Sequence, residues 1–219
     1  MQLILFGSPG VGKGTQAKII SSNLHIPHIS TGDILRKAVK DKTQLGVKAG
    51  EIMARGELVP DDLMIELIKE VLTSDECKNG FILDGFPRTT VQAEALDKLF
   101  DRIGFKNTVI IHITADEKEI IKRLNNRRAC KECGTIYKLE DIKDLDTCPK
   151  CGTKYGFYLR DDDKEEVIKN RLDIFNSSTL PVLDYYKNKG RVIEVNGFDT
   201  VENVNKKIVE SLKEKNLYN

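Results

Sequence analysis

A short apolar strand that runs straight into a glycine-rich turn leaves few folds open to this chain. Gln2–Phe6 (QLILF) reads as a buried strand, Gly7–Thr15 (GSPGVGKGT) as a loop, and Lys13–Asn23 as the helix that follows. Glycines 7, 10, 12 and 14 let the backbone curl so that several N–H groups point inward, and the helix adds the positive end of its dipole. Lys13 brings a mobile charge suited to the β- and γ-phosphates of a nucleotide. The pattern fits G-x-x-x-x-G-K, except that the next residue is Gly14 and the hydroxyl arrives at Thr15. A glycine turn with no ligand is the plain alternative. Strand before, helix after and lysine in place favour a nucleoside triphosphate. The loop alone does not say what becomes of it.

The remaining segments alternate. HIS, GFILDG, NTVIIHIT and RVIEV read as further strands. TGDILRKAVKD, DDLMIELIKEVL, TTVQAEALDKLFDRI, DEKEIIKRLNN and TVENVNKKIVESLKEK read as helices, the first opened by Ser30 or Thr31. KEEVIKNRLDIFNSSTLPVLDYYKNKG reads as one long helix bent at Pro181. Five strands alternating with helices predict an α/β fold: a P-loop NTPase-type five-stranded parallel sheet with helices on both faces. Two stretches break the alternation and read as insertions on the rim. The expected division is a core of residues 1–29, 60–125 and 164–219, a helical segment 30–59 and an insertion 126–163.

The second insertion holds CKECGTIYKLEDIKDLDTCPKCG. Cys130, Cys133, Cys148 and Cys151 form C-x2-C-x14-C-x2-C, each knuckle followed by a glycine. A redox pair, a nucleic-acid-reading ribbon and a metal staple are the three readings. Two matched pairs count against a redox disulfide, and the spacing favours four-thiolate zinc. The net charge is +1, and 126–163 carries eight Lys/Arg against eight Asp/Glu. That balance disfavours a nonspecific nucleic-acid footprint or an anionic membrane surface. The apolar run Leu3–Phe6 is too short for a signal peptide or a span, so the expected compartment is the cytoplasm, where paired cysteines bind metal more often than they oxidise. Cys77 reads as a plain thiol, and His25, His28 and His112 have no ligand spacing.

GSPGVGKGT, STGDILR, GELVPD, DGFPRT and the four-cysteine insertion stand in the order and spacing of the adenylate kinase family, long-lid form. The resemblance covers essentially the whole chain. It implies Mg²⁺-dependent phosphoryl transfer from ATP to AMP giving two ADP, directly, in a site closed by the lid. It implies ATP contacts at Gly10, Val11, Gly12, Lys13, Gly14, Thr15, Arg123, Arg127, Ile136, Tyr137 and Asp199, with the Asn196–Asp199 turn lending backbone groups. AMP contacts are implied at Thr31, Arg36, Glu57, Leu58, Val59, Gly85, Arg88, Gln92, Arg160 and Arg171. Lys13, Asp84, Arg88, Arg123, Arg127, Arg160 and Arg171 form the implied catalytic set, and the zinc is implied to be structural.

Each assignment meets a physical need. Such an enzyme must hold two polyanions tail to tail, and planar guanidinium forks suit phosphate oxygens better than lysines. Asp84 ends a buried strand, where its carboxylate can hold the Mg²⁺ shell through water; a turn cap is its plain reading, and Asp33 is a weaker second candidate. Gln92 carries a donor and an acceptor that match an adenine edge. The expected partners are ATP, AMP and ADP, with no nucleic acid and no membrane, and the expected state is a monomer. A UMP/CMP kinase is the alternative reading, and a zinc-ribbon nucleic-acid-binding ATPase a more distant one.

Overall fold

The computed structural model describes residues 1–106 and 108–215. Asn107, read as the head of a strand, and 216–219 lie outside the described residues. β1 (Gln2–Phe6), β2 (His28–Ser30), β3 (Phe81–Asp84), β4 (Thr108–Thr114) and the later β8 (Val192–Asn196) form one sheet in the order β2-β3-β1-β4-β8, parallel throughout. Both faces are covered, so the strands are nearly continuous apolar runs whose alternate residues enter different cores. Leu3 and Leu5 pack with Ile111, Ile113, Ala17 and Ile20 of α1 (Lys13–Leu24), and Ile208 and Leu212 of α10 (Val201–Glu214). Ile4 and Phe6 point the other way. They join Leu83, Ile68 of α4 (Asp61–Leu72), Leu96 of α5 (Thr90–Ile103), and Leu183 and Tyr186 of α9 (Leu180–Lys187).

Between β2 and α4 stand α2 (Thr31–Lys40) and α3 (Gln44–Ala54), with no strand between them. Ser30 caps α2 by accepting from Asp33 N–H, and Thr43 caps α3 by accepting from Gly46 N–H. α6 (Glu117–Asn125) and α8 (Glu165–Ile174) pack Ile120 and Leu124 against Ile168 and Leu172. Between them β5 (Arg127–Cys130), β6 (Ile136–Lys138) and β7 (Phe157–Tyr158) build an antiparallel sheet of order β6-β5-β7, with α7 (Leu139–Ile142) after β6; only the cysteine knuckles of this segment are evident from its sequence, not the strands.

The expected long helix runs without interruption from α8 into α9, with a wide, π-helical turn at Phe175–Thr179 between them, so the irregularity precedes Pro181 rather than falling on it. Pro181 has no N–H to offer Ser177 O one turn back, and in the widened turn Leu180 N–H donates to Phe175 O. Among the described residues no helix is long and apolar enough to cross a membrane.

Candidate active site and metal centre

The sheet order places the loop after β1 where neighbouring strands run off in opposite directions, the crevice in which parallel α/β sheets bind ligands. Gly7, Gly10 and Gly12 all have positive φ (143°, 80° and 108°), a backbone path closed to most side-chain-bearing residues. Lys13 Nζ donates to Gly7 O at 2.8 Å and Ser8 O at 2.9 Å, so the lysine lies back on its own loop. Burial lowers its pKa to about 8; Asp84 opposes this, and Arg88, Arg171 and Arg127 reinforce it. Asp84 pairs in register with Leu5, beside the start of the loop. His28, given no role by its spacing, ends with Nε2 3.5 Å from Asp84 Oδ2.

All the residues the resemblance assigns to AMP line one pocket of about 80 Å³. Thr31 enters from the head of α2, its hydroxyl donating to Asp84 O at 3.2 Å. Arg36 follows on the same helix, ion-paired with Asp33, the weaker cation candidate. Glu57 turns its carboxylate to Arg55 at 2.8–3.0 Å and shares the pocket wall with Leu58 and Val59. Arg88 follows a cis Phe86–Pro87 bond and donates through Nε to Gly85 O at 2.8 Å. Burial lowers its pKa, with Asp84 pulling the other way.

Two aspartates that entered the sequence reading only through the charge balance hold the remaining arginines. Arg160 makes a two-pronged contact with Asp162, and Arg127 makes one with Asp163. Arg171 donates to Asp162 O at 2.6 Å and Asp163 Oδ1 at 3.0 Å. Burial raises the Asp162 pKa, but Arg171 and Arg160 outweigh it and hold the carboxyl well below the usual range. Burial lowers Arg171 to about 10 despite Asp162. The signal in the sequence was the acid run Asp161–Asp163 directly after Arg160; acids beside a polyanion site need cations of their own.

On the other side of the loop, Arg123 donates to Val11 O at 3.4 Å and Gly197 O at 3.2 Å, joining α6 to the turn after β8. Asp199 lies exposed in that turn, accepting from Asn203 and Lys207. Ile136 is exposed on β6, while Tyr137 packs its ring on Phe157 and places its hydroxyl 3.3 Å from Cys148 Sγ. A separate hollow of about 320 Å³ is lined by Thr114, Ala115 and Asp116 together with Asn196 and Phe198 of the turn that holds Asp199.

The four cysteines meet. Their sulfurs lie within 4.8 Å of one another, with Cys130–Cys151 at 3.6 Å and Cys133–Cys148 at 3.8 Å. Zinc–sulfur bonds of about 2.3 Å in a tetrahedron put sulfurs about 3.8 Å apart, so the cluster fits the ion. Burial pushes Cys130 up to about 11, whereas Tyr137 and backbone N–H groups outweigh burial and draw Cys148 down to about 6.

The adenylate kinase family model matches residues 5–191. This chain belongs to the adenylate kinase family. It is 52% identical over 206 residues to the adenylate kinase of Methanocella arvoryzae, covering 93% of this chain and 94% of that one. It is 47% identical over 217 residues to the adenylate kinase of Archaeoglobus fulgidus (98% and 99%) and 46% over 216 residues to that of Caldicellulosiruptor bescii (97% and 99%). An adenylate kinase with four clustered cysteines therefore has both a phosphate loop and a zinc-compatible centre, joined by the arginines between them.

Proposed function

We propose that this protein transfers the γ-phosphoryl group of Mg²⁺-ATP to AMP, giving two ADP, reversibly and without a covalent intermediate. The observation that carries this is the convergence of Arg88, Arg160 and Arg171, from separate elements, on a pocket two of whose arginines, Arg88 and Arg171, lie within electrostatic reach of Lys13. A pair of nucleotides laid end to end needs that arrangement: cations where the two phosphate chains meet, and apolar or amide-bearing walls at the ends.

Lys13 leaves the carbonyls of Gly7 and Ser8 for the donor's β- and γ-oxygens. Arg36 and Arg88 hold the acceptor phosphate, and Thr31, Gln92 and the Glu57–Val59 backbone hold its base. Asp162 and Asp163 keep the forks of Arg160, Arg127 and Arg171 aimed, so they need little reorganisation as charge moves between nucleotides. Arg123, fixed between Val11 and Gly197, and the turn that holds Asp199 take the donor's base side; Ile136 and Tyr137 reach it from the lid. The carboxylate of Asp84 and the hydroxyl of Thr15 are hard oxygen donors that suit Mg²⁺. When bound, that ion would supply charge neutralisation to the phosphates.

At about 80 Å³ the acceptor pocket is below the roughly 300 Å³ at which small-molecule sites usually begin. Nucleotide entry therefore calls for residues 30–59 and 126–163 to swing away and close again, which keeps water from the transferring group. Cys130, Cys133, Cys148 and Cys151 would hold a Zn²⁺ that stiffens the second of these segments; four thiolates would leave no open coordination position for chemistry. We place the enzyme in the cytoplasm as a monomer. Supplied with Mg²⁺ and ADP alone, the protein should make ATP and AMP in equal amounts. Release of inorganic phosphate without ATP formation would overturn the proposal.

A further inference from the structure

The amide of Gln92 is held at both ends and is only 2% exposed. Its Oε1 accepts from Arg88 N–H at 2.7 Å, and its Nε2 donates to Asp61 Oδ1 at 2.7 Å. The other oxygen of Asp61 accepts from the Thr89 hydroxyl at 2.9 Å, and Thr89 Oγ1 accepts from Gln92 N–H at 3.2 Å. These bonds tie the first residue of α4 to the first turn of α5. They also fix which way the amide faces. A backbone N–H can only donate, and a carboxylate oxygen accepts. Turned by 180°, the amide would set its NH₂ against Arg88 N–H and its oxygen against Asp61. Both contacts would repel, and water has little access to relieve them.

We propose that Asp61 is a specificity-determining positioning residue: by locking the Gln92 amide, it makes the monophosphate site read a 6-aminopurine and reject a 6-oxopurine. The proposal rests on reading Gln92 as a base-facing residue of the pocket it lines. After its two protein bonds the amide retains one oxygen lone pair and one N–H. Adenine presents a 6-amino donor beside an N1 acceptor, which that remaining pair complements. Hypoxanthine presents a 6-oxo acceptor beside an N1–H donor, which only the flipped amide could match. Asp61 makes the flip unfavourable while acting wholly through Gln92. A merely structural Asp61, pinning α4 to α5, would affect both acceptors alike.

The test compares kcat/KM for AMP and IMP at saturating Mg²⁺-ATP in the wild type, Asp61→Asn and Gln92→Leu. An amide in place of the carboxylate can face Gln92 with either end, leaving Arg88 N–H alone to oppose the flip, so the AMP-over-IMP preference should fall about tenfold. The KM for ATP should stay within about twofold. Asp61→Ser, whose hydroxyl can donate or accept, carries the same expectation should Asp61→Asn melt too low to assay. If AMP and IMP rates fall in parallel, or the preference holds in the Asp61 variants while Gln92→Leu abolishes it, Asp61 has no part in base reading. If Gln92→Leu also leaves the preference intact, the reading of Gln92 itself fails and takes the proposal with it.

Discussion

Arg88 differs from Arg127, Arg160 and Arg171 in having no carboxylate partner among the described residues. Its Nε is held by Gly85 O, which leaves the terminal nitrogens free for a phosphate. Arg88→Ala should therefore leave the fold intact and cost roughly 3 kcal/mol of transition-state stabilisation, about a hundredfold in kcat. Steady-state rates beside a thermal melt check this; a rate within about threefold of wild type would remove Arg88 from the site. Lys13 predicts a pH dependence. Its free-enzyme pKa of about 8 should rise when phosphates bind, so below that pH the lysine is charged in both states and affinity is flat. Above it, binding must take up a proton, and ATP affinity falls as the pH climbs. Titration calorimetry at pH near 8.5, in buffers of different ionisation enthalpy, should report net proton uptake; none would contradict the assignment. The loop and most residues expected at the monophosphate pocket could be singled out because they sit in compact motifs, and the structure brings the latter to one pocket. Asp61, Asp162 and Asp163 could not, because a sequence shows an acid but not the group it meets 31 or 36 residues away.

Elements with a clear period were legible in the same way: the strands as apolar runs and the helices by their caps and stripes. β5, β6 and β7 were not, being two to four residues long and held by the knuckles rather than by an alternating pattern. The π-helical turn before Pro181 was expected only as a bend, since a proline marks a missing donor but not how the preceding turn accommodates it. Because the lid has so little core, its fold should depend on its metal. Zinc should be found at about one per chain with four sulfur ligands. Chelation or Cys148→Ser should lower the melting temperature clearly, yet leave the chemical step possible below it. An unchanged melting temperature in metal-free protein would contradict this, as would total inactivity in a folded, demetallated protein with an ordered lid. The α2–α3 pair makes a separate prediction. A Cβ on Gly46 would stand 2.0 Å from Ala38 O, a backbone atom that cannot turn aside. Gly46→Ala should force the helices apart and cost about 1–3 kcal/mol in denaturant melts; a neutral result would mean that α3 shifts freely.

For the whole molecule, the parallel sheet places the candidate site at the carboxyl ends of its inner strands. β1 leads into the loop and β3 ends at Asp84, with Arg88 following it; the proposed mechanism has the two rim segments close over them. The order of the strands was not readable from the sequence, since periodicity identifies strands without saying which are neighbours. The α/β class was readable, because alternating strands and helices admit little else. If this arrangement selects AMP as phosphoryl acceptor, acceptor-resolved turnover will show it. With Mg²⁺-ATP as donor and AMP, GMP, UMP and CMP offered in turn, kcat/KM should be highest for AMP, with ADP as the product from both nucleotides. Preference for UMP or CMP, or ATP consumption indifferent to every monophosphate, would contradict the account.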